Sequence, residues 1–318
     1  MTEQRALDVA NQPWKTPVDR QTLALTLRRT NTLQTVEPLS DAVTTARDAM
    51  RNGNLDLANV YASRHPHDVG HTTLARAHLL LTRIGLRQAN LPRAVHHMTE
   101  LRNLYRDHRH DSDMPNPGHV ELIEGELTYA RFVAGDQAVD DVLPFFERAR
   151  NHFANEVFGL GRFEAARRIS TMHAFGTGGL DLAVHGLRAT LAATAYPLLL
   201  PVHYRTAISL AKLGIIGDDL QDQDFDNCRR AAEFFSTSPA FDRYWYAEAL
   251  LVLHLAERKT ATWHQLLRSL RPADAPPLTP LPLELPATHE WQAIGRPDKV
   301  ALITEAATKV DPRPLLLD

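Results

Sequence analysis

The stretch from Asp222 to Glu233 holds the sharpest pattern of possible ligands in the chain. Carboxylates stand at its positions one, three, five and twelve, the positions from which an EF-hand loop binds Ca²⁺. However, Asn227 occupies position six, where that loop turns on glycine, and Arg229 occupies position eight, where an apolar side chain is needed. We therefore interpret the stretch as an acidic approach to a helix that begins near Asp226, where carboxylates favour the helix dipole, and we predict no calcium site.

Two groups of histidines and one cysteine are the other candidates for chemistry. The groups are His65, His67 and His71, and His108 and His110 with Asp111 and Asp113. Neither group has the ligand spacing of a zinc site, so we interpret both as solvated loop histidines and predict no metal. Cys228 is the only cysteine, which excludes an intramolecular disulfide and any paired-cysteine motif. It has no identifiable histidine partner and is interpreted as a buried or half-buried thiol.

Sequence motifs of the common enzyme classes are missing. No lysine follows a glycine, which excludes a phosphate-binding P-loop, and no serine has the flanking glycines of a nucleophile elbow. The pair His289-Glu290 lacks the second histidine of a zincin motif. Gly176-Thr177-Gly178 follows a helical pattern rather than the strand of a dinucleotide-binding unit. The sequence therefore predicts no catalytic residue, no cofactor and no enzymatic activity.

The composition indicates which elements must position any site. The chain of 318 residues has 45 Leu and 41 Ala but only 17 Val and 8 Ile. Leu and Ala favour helices, whereas β-branched residues are enriched in strands. This ratio argues against a β-sandwich, a barrel and a doubly wound sheet, whose central strands are rich in Val and Ile. The predicted fold class is all-α.

The charge and the hydrophobic runs exclude other classes of protein. The net charge of −3 is too balanced for a general binder of nucleic acid or of a membrane surface, which normally has a basic excess. The polar stretch 1–20 is not a secretory signal, and the longest apolar runs are far shorter than the roughly 20 residues of a membrane helix. We expect a cytoplasmic, bacterial protein that contacts neither nucleic acid nor a membrane.

A six-residue motif recurs along the chain between helical patterns. Its clearest copies are Gly53–Ala58, Ala89–Ala94 and Gly178–Ala183, and looser copies begin at Gly135, at Gly217, near Lys259 and at Gly295. Gly or Ala at the first position permits a tight turn after one helix, and the small sixth residue lets the next helix approach closely. Spacings of 36 to 46 residues between copies indicate a repeated helix–turn–helix unit, the pattern of an α-solenoid.

On these motifs, the sequence resembles the tetratricopeptide-repeat (TPR) superfamily over roughly residues 37–271. The resemblance implies a right-handed α-solenoid of helix–turn–helix repeats. The units are longer than the usual repeat of about 34 residues. The small residue expected halfway along the first helix is Ala46 in the first unit but Thr82, Thr128 and Thr171 in the next three. The alternative is another helical-pair solenoid without TPR geometry.

Three segments fall outside the predicted repeat array. Residues 1–36 are predicted to form an N-terminal cap, and residues 288–318 a C-terminal helical hairpin and tail. Residues 272–287 between the array and that hairpin are rich in proline. Proline-rich segments favour stiff, extended conformations, so we predict that residues 272–287 form a linker.

The TPR resemblance also implies a binding surface. In that family the first helix of each unit lines a concave groove, at fixed positions counted from the turn residue. Those positions give nine candidate residues here, Arg47, Met50, Arg76, Arg83, Tyr129, Phe132, Arg168, Met172 and Tyr204. A lining of arginines and apolar side chains suits a peptide that carries a carboxylate and an apolar residue.

Two functions follow from this reading. The first is a non-enzymatic TPR-like scaffold or adaptor that binds a protein or peptide partner of acidic character in its concave groove. The alternative is a ligand- or peptide-sensing regulatory module in bacterial signalling or transcription control. An enzyme is the least supported class, because none of the searched catalytic motifs is present.

Overall fold

The computed structural model describes residues 41–52, 54–63, 70–87, 90–108, 111, 114–133, 136–154, 159–176, 179–217, 220–237 and 242–257. Within these ranges it contains eleven α-helices, two short 3₁₀ turns and no strand. The helices are α1 (Asp41–Arg51), α2 (Leu55–Ala62), α3 (His71–Arg87), α4 (Leu91–Asp107), α5 (Pro117–Val133), α6 (Leu143–His152), α7 (Leu160–His173), α8 (Gly179–Ala193), α9 (Leu200–Gly217), α10 (Asp222–Phe235) and α11 (Arg243–Glu257).

This content confirms the predicted all-α class for the described part of the chain. None of the helices in these ranges is long and apolar enough to cross a membrane. The predicted cap (1–36), proline-rich linker (272–287) and terminal hairpin with its tail (288–318) lie outside the described residues, so these domain predictions stay predictions.

The helices pack in a repeating order. Each odd-numbered helix packs against the even-numbered helix that follows it, and that even-numbered helix packs against the next odd-numbered one. Successive odd-numbered helices also pack on each other, from α1 to α11. Among the described residues, no two even-numbered helices share a comparable contact. The odd-numbered helices thus form one continuous layer, and we call its side-chain surface the odd-helix face.

The six-residue motif supplies the N-terminal caps of the even-numbered helices. Asn54 and Asn90, at its second position, accept hydrogen bonds through Oδ1 from the backbone N–H three residues later, at 3.1 and 3.2 Å. Such a cap satisfies one of the backbone donors that the first turn of a helix leaves free. In the third copy, Gly179 takes this place with a φ of 66°, a left-handed conformation that favours glycine.

The small residue at the sixth position of the motif brings the two helices of a hairpin together. The three copies place a fully buried alanine there, Ala58, Ala94 and Ala183. A Cβ added to Gly85 on α3 would lie only 3.0 Å from the backbone nitrogen of Ala94 on α4. The predicted close approach is therefore confirmed for this hairpin, and it requires a small residue on both helices.

Threonines at the middle of the odd-numbered helices are accommodated by local hydrogen bonds. Thr82, Thr128 and Thr171 each donate to the carbonyl oxygen four residues earlier, at 2.8, 2.9 and 3.0 Å. A hydroxyl bonded to its own helix can be buried without losing a hydrogen-bond partner. These positions can therefore hold threonine where the TPR pattern has a smaller residue.

The apolar core is divided into five clusters, one around each even-numbered helix. Each cluster joins that helix to the odd-numbered helices before and after it. Around α6, for example, Phe146 and Phe153 pack with Leu122 of α5 and Met172 of α7. Stability in such an array comes from contacts between neighbouring units, so the position of the odd-helix layer is set locally, step by step.

Arg87, the last residue of α3, connects distant parts of the array. Its Nη1 donates to the carbonyl oxygen of Met50 at 3.3 Å, and its Nη2 lies 3.7 Å from Oδ2 of Asp242. Asp242 directly precedes α11 and accepts the backbone N–H of Trp245 at 3.3 Å. The two charged side chains are 16% and 12% exposed, so water screens their contact little. One guanidinium therefore links the end of α1 to the start of α11.

The substitution Gly125→Ala tests the packing of α5 on α6. An alanine Cβ would lie 2.5 Å from Cε1 of the fully buried Phe146 ring. We expect a loss of about 1–3 kcal/mol in urea unfolding, because overpacking outweighs the higher helix propensity of alanine. The matched control is Gly217→Ala, where the nearest atom, Cδ1 of Leu180, is 3.6 Å away. Equal stabilities of the two variants would contradict this packing.

Candidate functional site

Glu164 of α7 is the centre of a buried ion-pair network, which we call the Glu164 network. Its carboxylate accepts a hydrogen bond from Arg167, and lies 3.9 Å from Nε of Arg168 and 3.5 Å from Nη1 of Arg205 on α9. Burial would raise the pKa of this carboxyl, but the guanidiniums of Arg167, Arg205 and Arg168 outweigh it and hold the pKa well below its usual range. Glu164 therefore stays ionised and ties α7 to α9.

Neighbouring contacts extend the Glu164 network along the odd-helix face. Glu126 of α5 lies 3.3 Å from Nη2 of Arg168 on one side and 3.8 Å from Nε of Arg83 on α3 on the other. The guanidinium of Arg167 lies 5.3 Å from the ring centroid of Trp245 on α11, within range of a cation–π interaction. Charged side chains thus form a strip across the odd-numbered helices from α3 to α11.

A narrow pocket opens beside the Glu164 network. It contains about 470 Å³ of space, part of which is open solvent. Four odd-numbered helices, α5 to α11, contribute its lining, which includes Tyr129, Phe175, Ile208, Lys212, Trp245 and Glu248. Nζ of Lys212 lies 3.6 Å from Oε1 of Glu248. The pocket has room for a slender side chain or a few waters rather than for a large cofactor.

Three arginines at the other end of the face, Arg47, Arg76 and Arg83, form what we call the cationic cluster. Arg47 and Arg76 form no ion pair with a described carboxylate, and Arg83 has only the 3.8 Å contact to Glu126. Nη1 of Arg76 is buried and has no hydrogen-bond partner in the described part of the chain. Burial and the charges of Arg51, Arg83 and Arg76 lower the pKa of Arg47. The cationic cluster is therefore self-repelling and partly desolvated.

His119, in the first turn of α5, lies in the electrostatic field of the cationic cluster. Burial lowers the pKa of its imidazole, and the charges of Arg83, Arg76 and Arg47 lower it further, to about 4. Its ring contacts the edge of Phe153, with centroids 4.9 Å apart. Three arginines from α1 and α3 thus act on one ring of α5. His119 is neutral at pH 7 and adds no charge to the cluster.

The structure brings together two parts of the predicted groove lining. Arg47, Arg76 and Arg83 form the cationic cluster. Tyr129 and Phe132 form an aromatic group with Phe175, in which the three ring centroids are 5.5 to 6.3 Å apart. These rings are part-buried and pack against the core around α6. Tyr129 and Phe132 lie on α5, the odd-numbered helix that follows the arginines of α1 and α3.

Arg168 lies on the same face but is not open to a ligand. Its side chain is 8% exposed, and its guanidinium is engaged by Glu126 and Glu164. A buried arginine needs such carboxylates, because the isolated charge would be costly to desolvate. These contacts give Arg168 a structural role in the free protein, and its part in partner binding stays a prediction.

Three apolar candidates do not line the face. Met50 and Met172 are 8% and 2% exposed and belong to the cores around α2 and α6. Tyr204 packs on Phe234 of α10, with ring centroids 4.7 Å apart, and burial raises the pKa of its hydroxyl. Burying a large apolar side chain contributes about 1.5–3 kcal/mol, so the core takes these residues in preference to a solvated groove.

The prediction for Tyr204 depends on where α9 is taken to end. It takes Gly217 as the turn residue, but α9 continues through Gly217. Moving the turn by one residue rotates the assignment by about 100° around the helix. With the turn moved by one residue, the groove-facing positions of α9 fall on Arg205, Ile208 and Lys212, and Tyr204 is no longer one of them. Arg205 contacts Glu164, and Ile208 and Lys212 line the pocket.

The Glu164 network itself is absent from the sequence prediction. Its members Glu164, Arg167 and Arg168 do have the three- and four-residue spacing of helical ion pairs. That spacing predicts a favourable helix surface but gives no information about burial. Only the approach of α9 and α11 turns this helical ion pair into a buried centre.

The EF-hand-like stretch and the cysteine belong to α10. This helix begins at Asp222, four residues before the predicted start, so the acidic side chains project from a helix rather than surround an ion. Cys228 is fully buried, with its Sγ 3.8 Å from the carbonyl oxygen of Ala249. Burial raises the pKa of the thiol, which keeps it protonated and unreactive. The interpretation of Cys228 as a buried thiol is confirmed.

The histidine groups are only partly described. His71 and His108 stack, with ring centroids 3.5 Å apart, at the start of α3 and the end of α4. They are therefore helix-end residues in mutual contact rather than separate loop residues. His65, His67, His110 and Asp113 lie outside the described residues.

Comparison of the chain with known proteins finds no matching family model, no similar curated protein and no similar solved structure. The TPR resemblance therefore stays a prediction. The features that bear on function are those of the odd-helix face: its charged groups, its buried side chains and its pocket.

The substitution Glu164→Gln tests the Glu164 network. It leaves the buried guanidiniums of Arg167 and Arg168 with much less neutralising charge. We expect a loss of about 3–5 kcal/mol in urea unfolding followed by circular dichroism, the usual cost of breaking a buried ion pair. The control is Glu147→Gln on the exposed side of α6, which should change stability by less than about 0.5 kcal/mol. A loss below 1 kcal/mol for Glu164→Gln would contradict this assignment.

The lowered pKa of His119 predicts a loss of stability in mild acid. The unfolded chain binds a proton near pH 6.5 and the folded chain only near pH 4, so stability falls as the pH drops through that interval. The upper bound of the loss is about 3.5 kcal/mol, since each pH unit costs about 1.4 kcal/mol, and the partly exposed edge of His119 makes the actual loss smaller. In His119→Gln, urea unfolding should depend less on pH between 6.5 and 4.5. Identical pH profiles for the two proteins would refute this role.

Proposed function

We propose that this protein is a non-enzymatic binding module that captures an acidic segment of a protein partner on its odd-helix face. The cationic cluster is the observation that carries this proposal. Arginines that repel one another are destabilising, and so is the buried donor on Arg76, which has no acceptor among the described residues. A carboxylate bound between them offsets the repulsion and supplies the acceptor, and arginine forks bind carboxylates in pairs of hydrogen bonds.

The packing of the helices supports a solenoid with this face on its inner side. We propose a right-handed, TPR-like array in which the odd-helix face is concave. Successive odd-numbered helices pack on each other, whereas even-numbered helices pack on odd-numbered ones. The contact between Arg87, at the end of α3, and Asp242, which precedes α11, joins two parts of the layer that are far apart in sequence. Repeat proteins use such surfaces to bind extended partners.

The bound segment should also carry an apolar side chain that contacts the aromatic group. Glu126 lies between Arg83 of the cationic cluster and Arg168, and Tyr129 of the aromatic group follows it by one turn on α5. A segment that crosses α3, α5 and α7 would meet positive charge first and aromatic surface next. An acidic residue followed by an apolar one therefore matches the order of groups on the face.

A regulatory module that senses a peptide or small ligand is the second candidate. The narrow pocket favours it, because the pocket is lined by four successive odd-numbered helices. A ligand that fills it would change the spacing of those helices only if it binds one spacing better than another. Small-angle scattering with and without bound peptide separates the two candidates, since an adaptor should keep its dimensions and a sensor should change them.

A charge-reversal variant tests the proposed binding face. The probe is a fluorescein-labelled decapeptide of glutamate and alanine with one phenylalanine, and its reference has glutamine for glutamate. In fluorescence anisotropy, the wild type should bind the acidic peptide at least tenfold more tightly than the reference. The double variant Arg76→Glu with Arg83→Glu should lose at least tenfold in affinity, because desolvated charge contacts cost about 2–5 kcal/mol when removed. Its helical spectrum should be unchanged.

The matched control reverses two charges on even-numbered helices. Arg106 of α4 and Arg150 of α6 are exposed, so Arg106→Glu with Arg150→Glu changes the net charge equally without touching the odd-helix face. This control should bind the acidic peptide with about half the wild-type affinity or better, since only long-range attraction is lost. If Arg76→Glu with Arg83→Glu folds and binds as the wild type does, the odd-helix face is not the binding surface.

A further inference from the structure

The cationic cluster carries more positive charge than one carboxylate can neutralise. Four guanidiniums interact there, those of Arg47, Arg51, Arg76 and Arg83. The carboxylates that face them are those of Asp48 and Glu126. Among the described residues, four guanidiniums and two carboxylates leave an excess of two positive charges, and Glu126 is shared with Arg168 at 3.3 Å. His119, the nearest imidazole, is neutral and does not alter this count.

We propose that Arg47, Arg76 and Arg83 bind a single phosphoryl dianion. This inference rests on the proposed function and names the chemical group that the face selects. A phosphoryl group at pH 7 carries a charge of about −1.5 to −2 and three strong acceptor oxygens. Its charge therefore matches the excess, and its three oxygens match three guanidiniums better than the two oxygens of a carboxylate do.

The arrangement of the donors supports a compact, three-oxygen acceptor. Arg76 and Arg83 are two helical turns apart on α3, about 10.5 Å along the axis, so an anion bound between them is within reach of both side chains. Arg47 approaches from α1, and all three act on the ring of His119 at the start of α5. Nη1 of Arg76 is already buried and has no acceptor in the described part of the chain. A phosphoryl oxygen would satisfy it.

The rest of the face argues against a nucleic acid as the source of the phosphoryl group. A polyanion needs a continuous basic strip along which its backbone can run. Beyond α3, Arg168, Arg205 and Lys212 each lie 3.3 to 3.6 Å from a carboxylate oxygen of Glu126, Glu164 or Glu248, which interrupts any basic strip. The cationic cluster occupies only the α1–α3 end of the described face, so it suits one phosphoryl group rather than a chain of them.

Three peptide pools that differ only in their central residue test the proposal directly. The probes are three degenerate nonapeptide pools with phosphoserine, glutamate or serine at the central position, measured by isothermal titration at constant ionic strength. We expect the phosphoserine pool to bind at least tenfold more tightly than the glutamate pool, and the serine pool to bind least. Inorganic phosphate should compete with the phosphoserine pool, whereas chloride at equal ionic strength should not.

Variants and spectra of the cluster provide the controls. Arg47→Gln, Arg76→Gln and Arg83→Gln should each remove most of the preference for phosphoserine over glutamate, and Arg106→Gln with Arg150→Gln should leave it intact. Side-chain ¹⁵Nε signals of the three arginines in the wild type should shift on addition of phosphate. This measurement on the unmodified chain decides the question even where a variant fails to fold.

The outcomes separate this inference from the proposed function. Equal binding of the phosphoserine and glutamate pools overturns the phosphoryl site and leaves acidic-segment capture standing. No binding of any pool, with unshifted arginine signals in phosphate, overturns both. Arginine shifts with inorganic phosphate but no binding of the phosphoserine pool support the phosphoryl site, assign it to a free phosphorylated small molecule and overturn the protein-borne source.

Discussion

The charge of Glu164 is the constraint on which the odd-helix face depends. A carboxylate this buried is tolerated only because Arg167, Arg168 and Arg205 surround it, and those arginines are tolerated only because it is ionised. Arg205 ties α7 to α9, and Arg167 and Arg205 reach the ring of Trp245 on α11. The network thus sets the spacing of α7, α9 and α11 at once. Apolar contacts between small side chains have no direction and would constrain this spacing less.

The same network divides the face into two electrostatic halves. From α5 to α11, each of Arg168, Arg205 and Lys212 lies 3.3 to 3.6 Å from a carboxylate oxygen, so these positive charges are compensated locally. At α1 and α3, Arg47 and Arg76 form no ion pair with a described carboxylate, and the charge of Asp48 offsets that of Arg47 only in part. Long-range attraction therefore acts at one end of the face and short-range apolar contact at the other, which gives a bound segment a direction.

Local packing and one distant contact together determine the shape of this surface. Five separate cores hold each even-numbered helix against its two odd-numbered neighbours, so a change in one core alters the face mainly at the adjacent helices. The contact of Arg87 with Asp242 differs because its partners are far apart in sequence. It couples the α1–α3 end, which carries the cationic cluster, to the start of α11, so the two halves of the face are not independent.

The sequence by itself determined the helical class, the hairpins and the presence of three arginines on one layer. These features follow from local rules: leucine and alanine favour helices, Asn54 and Asn90 cap the helix that follows them, and small residues at the motif permit close approach. The periodicity of a helix also places Arg76 and Arg83 on one side without knowledge of the neighbours.

Tertiary structure alone decided which of those side chains remain available. The rotation of a helix about its axis decides whether a residue near the edge of the core faces the core or the odd-helix face. In α9, placing the helix end one residue later puts Arg205 rather than Tyr204 on that face. Met172 and Arg168 are four residues apart on α7, yet Met172 fills a core and Arg168 contacts Glu164. Burial and charge pairing depend on groups brought in by distant helices, so no local pattern in the sequence contains them.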